Sequence, residues 1–425
     1  MISFFNRHKT LLMLLSVGLA VRLTVLLFYL STHDWQGETW EYEAIATNLL
    51  EGRGYVFDFH NTVYRSFSVP VFPILCYALH LIGGPGLSLY YVFHLSVALG
   101  VIVLTYAMAC RWFGEQTALV AAFFVALEPG LVVYHSYKVD PVALSTFLLL
   151  LGVYTFTRAA DSLDKRLAWA SGAVMGFGVM TRPDLIAVLA VVVLWMILER
   201  RRLFTALRLA TPVIVAATLV VAPWVIRNYY IHGQVLVTYS VSSELLWRGN
   251  NPNSTGTTLT FANENQFDRA PKDFRAMVES SSEMEIYALF REEALRYIAQ
   301  DPAGFIRRVL EKFWYFGWFS PTYAANHYGW IPVVLVDTYK LLYGMVIGLA
   351  VVGGWFVVRD GPIVMRRTSL YLLTVVIAVA LIHSIGYVEG RHRVLVMPII
   401  LMWAAHGLVT CWDMMIRARA ATNCR

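Results

Sequence analysis

The sequence has few charged residues and few cysteines. Only 15% of its 425 residues are charged, whereas 58% are apolar, and the mean hydropathy is +0.58. A fold in water could not cover so much apolar surface, so the composition excludes a soluble enzyme, a disordered chain and a fibrous repeat. The scattered cysteines form no CxxC pair, which excludes an encoded zinc site or disulfide framework. They are Cys76, Cys110, Cys411 and Cys424.

The short motifs of soluble enzymes are also absent. The sequence contains no glycine-rich phosphate-binding loop, no HExxH and no GxSxG. The net charge is +6, but the basic residues are dispersed through short connecting segments instead of gathering in one place. This distribution argues against a nucleic-acid partner. It makes the basic residues informative about membrane topology instead.

What the sequence has in abundance is long apolar runs. A helix needs about 20 apolar residues to cross a bilayer. The candidate spans are 11–30, 88–110, 116–135, 141–157, 167–181, 185–198, 206–226, 332–358, 368–385 and 394–412. We therefore predict an all-α polytopic membrane protein with about ten transmembrane helices.

One further apolar segment, 69–82, is expected not to cross the membrane. Pro70 and Pro73 interrupt it, so we predict an interfacial or re-entrant segment. Omitting it places most basic residues of the short loops, including Arg200 to Arg202, on one side, as the positive-inside rule requires. The protein is then a multi-pass protein of the inner or plasma membrane with both termini cytoplasmic. The first span is expected to be a retained signal anchor.

Two segments then lie on the outer, non-cytoplasmic side. The first is the acidic loop 31–69, within an N-terminal transmembrane module, 1–226. The second is 227–331, which has the length of a small domain and for which we predict an α or α+β fold. Within it, Asp301-Pro302 opens a basic aromatic helix that is expected to lie along lipid headgroups. Residues 332–425 supply the C-terminal transmembrane helices.

The first outer loop carries the candidate chemistry. If the chain is helical from Glu38, then Glu38, Glu41 and Tyr42 share a face. Gly52 to Gly54 would end this helix. A carboxylate just beyond a membrane span can act as a base or hold a cation. The alternative is a solvated acidic helix start, which the pattern alone favours.

The same loop contains a longer pattern around Tyr42. An acid stands four residues before it, and Ile-Ala-x-Asn-Leu-Leu-x-Gly-x-Gly-Tyr follows it. Later stretches belong with this pattern: Tyr64-Arg65-Ser66, Arg111-Trp112-Phe113-Gly114, Ala126-Leu127-Glu128-Pro129, Asp140-Pro141, Trp247-Arg248-Gly249-Asn250-Asn251-Pro252 and Gly390-Arg391-His392-Arg393-Val394. Together they resemble the membrane glycosyltransferases of the GT-C superfamily. The resembling branch contains the protein O-mannosyltransferases and the lipid A aminoarabinose transferase.

The resemblance implies a GT-C fold and a reaction. In that family a sugar passes from a polyprenyl phosphate to an acceptor on the outer face, with inversion at the anomeric carbon. The acceptor hydroxyl must lose a proton, and the leaving phosphate gains charge. The prediction is an inverting hexosyl or pentosyl transferase of the cell envelope. Its partners would be the lipid-linked donor, membrane lipids, and a lipid, glycan or protein acceptor.

The resemblance also assigns roles to acids. Glu38 matches the family's catalytic position, Glu41 is the second choice, and Asp140 matches a second external acid. Asp140 precedes Pro141 and can equally be a helix N-cap, so both interpretations stay open. Most relatives carry a second acid where this chain has Thr39, which weakens the argument for a metal. If a divalent ion such as Mg²⁺ or Mn²⁺ is bound, its ligands would be Glu38 and Asp140.

Candidate substrate contacts complete the prediction. The fork of an arginine suits a lipid phosphate, whereas anchoring at the membrane interface is the alternative for each basic residue. The candidate phosphate contacts are Arg65, Lys138, Arg182, Arg248, Arg391 and Arg393. The other candidate substrate-binding residues are Tyr42, Tyr64, Trp247, Asn250 and Asn251.

Two other functions would suit a polytopic membrane protein. A transporter or flippase of lipid-linked or small anionic solutes would show symmetry between its halves, and the sequence contains no such repeat. A non-catalytic assembly protein would have no need of Glu38. The glycosyltransferase is therefore the prediction, with the transporter or flippase as the alternative.

Overall fold

The computed structural model describes residues 9–32, 41–84, 86–199, 203–262, 264–323 and 333–423. Its first half contains α1 (Lys9–Thr32), α2 (Glu41–Leu50), β1 (Phe57–Phe59), β2 (Thr62–Tyr64), α3 (Val71–Gly83), α4 (Ser88–Phe113), α5 (Glu115–Leu127), α6 (Pro129–Tyr134), α7 (Val142–Ser162), α8 (Lys165–Val179), α9 (Ile186–Glu199) and α10 (Leu203–His232). Its second half contains α11 (Ser242–Arg248), α12 (Lys272–Glu279), α13 (Glu283–Gln300), α14 (Pro302–Gly317), α15 (Val333–Asp360), α16 (Ile363–Ile385), α17 (Gly390–Val394) and α18 (Met397–Asn423).

Seven helices in the described part of the chain are long and apolar enough to cross a membrane. They are α1, α4, α7, α10, α15, α16 and α18. The other predicted spans correspond to α5, α8 and α9, which have 13, 15 and 14 residues. Each is shorter than a full crossing of about 20 residues. The predicted all-α polytopic fold class is confirmed.

Helix α3 does not run from one end of the bundle to the other. The Val71 N–H at its start donates to the Met180 O just after α8 (3.0 Å). In α4, which follows, the Tyr90 hydroxyl donates to the Lys138 O just before α7 (3.0 Å). Since α7 and α8 form an antiparallel pair, the start of α7 and the end of α8 lie at the same end of the bundle. Both ends of α3 therefore lie there, as expected for a re-entrant segment.

Arg22 lies buried halfway along α1, where an unpaired charge would be costly. Its guanidinium donates to the Ala126 O (2.8 Å) and to the Val125 O (3.1 Å). These oxygens belong to the last turn of α5, where helix carbonyls lack partners within the helix. Arg22 is therefore a structural residue that caps α5 and fixes α1 against it.

Helices α8 and α10 approach each other through a glycine. A Cβ added at Gly172 would lie 2.3 Å from the Val213 O of α10, so only glycine permits this contact. At Gly176, one turn later, a Cβ would lie 3.0 Å from the Ala217 O. The small-residue pattern of these two glycines thus marks close helix packing.

Gly344 and Gly348 of α15 have the same four-residue spacing, but they do not mark a close contact between helices. Nothing lies within 4 Å of a Cβ added at Gly348, and the Trp318 ring is the neighbour at Gly344, at 3.3 Å. Helices α15 and α18 instead meet at Gly353, where a Cβ would lie 1.9 Å from the Trp403 O. The four-residue spacing of Gly344 and Gly348 therefore does not identify the face of α15 that packs against α18.

The loop before α3 forms a short hairpin. β1 and β2 pair antiparallel, with Phe57 opposite Tyr64. His60 and Asn61 connect them and both have positive φ, 48° and 57°, as a type I′ turn requires. This hairpin packs against the segment after α10 in one aromatic core. The core contains Tyr64, Phe67, Trp247, Phe267, Phe274, Val278, Ile286 and Phe290.

The segment between α10 and α15 begins later than the predicted domain boundary at 227, because α10 continues through His232. Asp301 caps α14, its Oδ1 accepting from the Gly304 N–H (2.8 Å). Helix α14 packs against α16 and exposes Leu310 and Trp314, each 64% accessible. The predicted helix is present, and its position along lipid headgroups stays a prediction.

We expect Gly172→Ala to destabilise the protein, because the new Cβ would overlap the Val213 carbonyl oxygen. Such overpacking costs about 1–3 kcal/mol. Thermal unfolding of the purified protein in detergent measures the effect. Gly348→Ala is the matched control, since it lies in open space and alanine is the better helix former. Equal melting temperatures for the two variants would contradict the close contact of α8 with α10.

Candidate active site

A cavity of about 950 Å³ opens at one end of the helix bundle. Its walls come from the starts of α2 and α7, the turn after α8, the chain around α11, and the chain from the end of α16 into α17. The titratable side chains on its walls are Glu41, Tyr42, Asp140, Arg182, Asp184, Tyr239, Arg248, His383, Tyr387, Glu389, Arg391 and His392. Elements far apart in the sequence thus contribute acids and arginines to one cavity.

Glu41 and Tyr42 reach the cavity from the first turn of α2. This helix ends as predicted, since Gly52 and Gly54 have φ values of 75° and 86° that favour glycine. Burial raises the pKa of the Glu41 carboxyl group, and nearby Asp140 adds to the shift. Glu41 therefore takes up a proton more readily than an exposed glutamate does.

Asp140 makes one contact within its own helix and one across the cavity. Its Oδ1 accepts from the Val142 N–H (2.8 Å), as in an N-terminal cap. Its Oδ2 lies 3.3 Å from Arg391 Nη1. Capping and a place in the cavity are therefore compatible, because each uses a different oxygen.

Arg391 has further partners around its guanidinium. Glu389 Oε2 lies 2.9 Å from its Nε, and its Nη2 donates to the Tyr387 hydroxyl (3.1 Å). Burial opposes its ionisation, but Glu389, Tyr387 and Asp140 raise the pKa of Arg391 well above its usual value. Arg391 is therefore a fixed positive charge that has little freedom to take a new partner.

Arg182 is held along one edge only. Pro183 begins a short 3-10 turn after α8, and Asp184 in that turn accepts from Arg182 Nε at 3.1 Å. The two Nη groups of Arg182 have no hydrogen-bond partner among the residues that the structure describes. This free edge of the guanidinium is available to a ligand in the cavity.

A chain of contacts connects these charged groups. Asp184 Oδ2 lies 2.9 Å from His383 Nε2 at the end of α16. The His383 ring stacks on His392, with 3.7 Å between the centroids. His392 Nδ1 accepts from the Glu389 N–H (3.1 Å). The partner of Arg182 and the partner of Arg391 are thus parts of one network.

Arg248, the last residue of α11, is paired within its helix. Its Nε and Nη2 lie 3.0 and 2.6 Å from Glu244 Oε1. The other oxygen, Oε2, is 3.2 Å from His60 Nε2 in the hairpin turn. Burial opposes ionisation of Glu244, but Arg248 and His60 outweigh it and lower the pKa of the carboxyl group. This buried triad joins the hairpin to α11.

Other predicted substrate contacts lie away from the cavity walls. They are Tyr64, Arg65, Lys138, Trp247, Asn250, Asn251 and Arg393. Tyr64 and Trp247 belong to the aromatic core, where the Trp247 ring stacks 5.9 Å from Phe274. Arg393 donates to the Trp318 O (2.6 Å) and is buried.

The asparagines after α11 make hydrogen bonds that shape the chain. Asn250 Nδ2 donates to the Ile385 O (2.8 Å), and Asn251 Nδ2 donates to Gln266 Oε1 (2.6 Å). The Arg65 side chain is exposed. Substrate contact by the residues away from the cavity stays a prediction.

Glu38 and Thr39 lie outside the described residues. The role of Glu38 as first-choice base therefore stays a prediction. Of the other predicted acids, Glu41 and Asp140 are brought together in the cavity. Of the predicted basic contacts, the structure brings Arg182, Arg248 and Arg391 to the same cavity.

Three acids that position these arginines were not recognised from the sequence. Asp184, Glu244 and Glu389 each stand two or four residues from the arginine they hold. The four-residue spacing of Glu244 and Arg248 is a helical pairing signal which could have identified that acid, whereas the two-residue spacing of the other pairs is not such a signal. No such signal exists for His383, which contacts Asp184 across 199 residues of sequence.

The acids of the cavity do not form a metal-binding set. Asp140, Asp184 and Glu389 are each paired with an arginine. In the described ranges, no three His, Cys, Asp or Glu side chains come together as a possible metal site. Glu38, one of the two predicted ligands, lies outside the described residues, so a site for Mg²⁺ or Mn²⁺ stays a prediction, and we assign no step to a metal.

Comparison with known proteins finds one family and several solved structures that this chain resembles. Residues 69–226 match the family described as dolichyl-phosphate-mannose-protein mannosyltransferase. No curated protein matches the sequence. The apo oligosaccharyltransferase of Archaeoglobus fulgidus matches with a TM-score of 0.57 and 14% identity, over 99% of this chain and 52% of that chain.

Two further solved structures match. AglB from Archaeoglobus fulgidus, in complex with an inhibitory peptide and a dolichol-phosphate, has a TM-score of 0.55 and 14% identity, over 99% of this chain and 52% of that chain. ArnT from Cupriavidus metallidurans in the apo state has a TM-score of 0.40 and 15% identity, over 95% of this chain and 77% of that chain.

The resemblance to the GT-C superfamily is confirmed, and the chain has the GT-C fold. At 14% identity the oligosaccharyltransferase structures show the fold alone. This chain spans about half the length of those oligosaccharyltransferase chains. Donor, acceptor and catalytic residues must therefore be argued from the cavity itself.

We expect Glu244→Gln to destabilise the protein at pH 7 by about 1.5–3 kcal/mol, the usual size of a charged hydrogen bond. Because folding lowers the pKa of Glu244, its contribution is present above the unfolded pKa of about 4.3 and is lost as the pH falls further. We expect thermal unfolding to show a smaller difference in melting temperature between variant and wild type at pH 4 than at pH 7.

Glu264→Gln is the matched control for this measurement. Glu264 forms an exposed ion pair with Arg269, so its replacement should change stability little at either pH. An equal loss of stability in the two variants at pH 7 would contradict the importance of the buried triad.

Proposed function

We propose that this protein is an inverting glycosyltransferase that moves a sugar from a polyprenyl-phosphate donor to an acceptor at the outer face of the membrane. The observation that carries the proposal is the cavity of about 950 Å³, which contains both Glu41 and Arg182 at the end of a helix bundle with the GT-C fold. The reaction needs an acid side chain near the acceptor and a cation near the phosphate.

Two of the comparisons support the donor class. One structural neighbour was solved with a dolichol-phosphate, and the matched family is described by a dolichyl-phosphate-mannose donor. Dolichol-phosphate and dolichyl-phosphate-mannose both contain a phosphate at the end of a polyisoprenoid chain. We propose that the donor of this protein belongs to the same chemical class.

Arg182 is the best phosphate contact in the cavity. The Nη groups of Arg391 donate to Asp140 and Tyr387, and its Nε lies within ion-pair distance of Glu389. Arg182 uses only Nε, toward Asp184, so its two Nη groups can donate in parallel to two phosphate oxygens. Binding the donor there would not require an existing ion pair to break.

The isoprenoid chain would leave the cavity along an apolar rim. Ile186 at the start of α9 and Ile385 at the end of α16 line the cavity and are 42% and 48% exposed. Because both side chains are apolar and exposed at the ends of bundle helices, we propose that this rim faces the lipid. The donor can therefore keep its chain in the bilayer while its phosphate reaches Arg182.

The outer-face assignment rests on the charge bias of the sequence. In the sequence, Arg200 to Arg202 follow the last residue of α9, whereas Ile186 at the start of α9 lines the cavity. The positive-inside rule assigns such a cluster to the cytoplasm. The cavity then opens on the opposite side.

Glu41 is our proposed base among the described residues. The acceptor hydroxyl gives its proton to the Glu41 carboxylate while its oxygen attacks the anomeric carbon. The bond from that carbon to the phosphate oxygen breaks, and the electron pair leaves with the phosphate, beside Arg182. A single displacement inverts the anomeric centre. Glu38, three residues earlier, remains the first choice by resemblance to the family, and Glu41 is the choice that the cavity supports.

Glu41→Gln should abolish transfer, because the amide cannot accept the proton; we expect at least about a 100-fold loss. Mass spectrometry of lipids and glycans from cells with and without the protein identifies the missing sugar. The measurement is then whether each variant restores it. Glu38→Gln is compared in the same experiment, so that a loss confined to one variant identifies the base.

Glu51→Gln is the matched control, since the Glu51 side chain is exposed and pairs with Arg53. It should restore the glycan fully. Normal transfer by both Glu38→Gln and Glu41→Gln would remove this loop from the mechanism. An unaltered glycan profile in cells without the protein, with lipid movement lost instead, would favour a flippase.

Arg182→Gln should weaken binding of undecaprenyl phosphate about 10-fold to 100-fold, the equivalent of one or two charged hydrogen bonds. Native mass spectrometry of the purified protein, titrated with this lipid, measures the affinity. Arg291→Gln on α13 is the control, because its side chain is exposed and lies outside the cavity. Unchanged affinity in Arg182→Gln would contradict the assigned phosphate contact.

A further inference from the structure

Lys312 of α14 is buried, with 1% of its surface exposed. Its Nζ donates to the Gly386 O (2.7 Å) and to the Gly249 O (2.9 Å). The Ile385 O and Asn250 Oδ1 lie slightly farther away, both at 3.3 Å. No carboxylate lies within ion-pair distance of Lys312 in the described part of the chain. The ammonium group is therefore held by neutral oxygens.

These oxygens belong to two separate segments, which Lys312 joins. One segment, 248–250, begins at the last residue of α11, and the other, 385–387, begins at the last residue of α16. They touch directly, since a Cβ added at Gly249 would lie 1.6 Å from the Gly386 O. Only a glycine permits this approach. We call this contact the junction.

Each side of the junction continues directly into the cavity wall. Arg248 precedes Gly249, and Tyr387 follows Gly386; both line the cavity. Tyr387 in turn accepts from Arg391 (3.1 Å). The junction therefore fixes where Arg248 stands relative to Tyr387 and Arg391.

The cost of burying Lys312 is unusual for a purely structural residue. An ammonium group removed from water without an acid partner is expensive, and burial lowers the pKa of Lys312 to about 7. A hydrophobic side chain of similar length would fill the space without this cost. It could not, however, donate to oxygens of two segments at once. What the ammonium adds is therefore the fixed geometry of the junction.

We propose that Lys312 is a positioning residue of the active site, which holds the two cavity segments in register although it does not contact the substrate. This inference rests on the proposed function, because the benefit is to donor binding. Small displacements of binding groups lower affinity and rate markedly even when the fold is intact.

The test compares Lys312→Met with wild type in lipid nanodiscs. We expect the affinity for undecaprenyl phosphate to fall about tenfold, because the end of α16, where His383 contacts the Asp184 that holds Arg182, is no longer fixed. Hydrogen exchange should speed up in 248–250 and 385–389, while the rest of the chain keeps its wild-type protection. Lys272→Met, at an exposed position on α12, is the matched control and should match wild type in both measurements.

If Lys312→Met does not fold, Asn250→Ala tests the same junction more gently. It removes the Asn250 hydrogen bond to the Ile385 O and the weaker contact of Lys312 with Asn250 Oδ1, and it leaves the bonds of Lys312 to the Gly249 and Gly386 oxygens. The same local increase in exchange and a smaller loss of affinity are expected.

The outcomes separate this inference from the proposed function. Wild-type affinity in Lys312→Met, with binding lost in Arg182→Gln, would overturn the positioning role and leave the function standing. Increased exchange throughout the chain would make Lys312 an ordinary stabilising residue and overturn the inference. Failure of wild type itself to bind the lipid would overturn the proposed function and the positioning role together.

Discussion

The candidate site depends on arginines that are buried together with the acids that neutralise them. Arg182, Arg248 and Arg391 could not remain in this cavity without Asp184, Glu244 and Glu389. Each pair also restricts its arginine to one orientation. These ion pairs thus fix the orientation of the charged side chains in the cavity walls, and the surrounding helices bring the pairs together.

This arrangement divides the charged groups into held and available ones. Arg391 and Arg248 are committed to partners, whereas Arg182 keeps two donors free and Glu41 is an acid with a raised pKa. A phosphate and a hydroxyl can approach these two groups without breaking an existing pair. The Lys312 junction extends the same principle outward, since it fixes backbone segments by means of a buried charge.

Much of the architecture could be predicted from the sequence. Seven of the ten apolar runs correspond to helices long enough to cross a membrane, and the glycines after α2 marked its end. The candidate site was predicted in part. Glu41, Asp140 and three arginines share a cavity, whereas Trp247 belongs to a core, because an aromatic residue suits a sugar and a hydrophobic core equally well.

The sequence by itself determined that the protein lies in a membrane, because composition and the length of apolar runs are local properties that hold in any fold. It also determined which residue types were available for phosphate and proton chemistry. Only the tertiary structure decided which of them meet. Contacts such as Asp184 with His383, or Lys312 with Gly386, join segments far apart in the chain. Helix packing fixes these distances, and no spacing along the sequence records them.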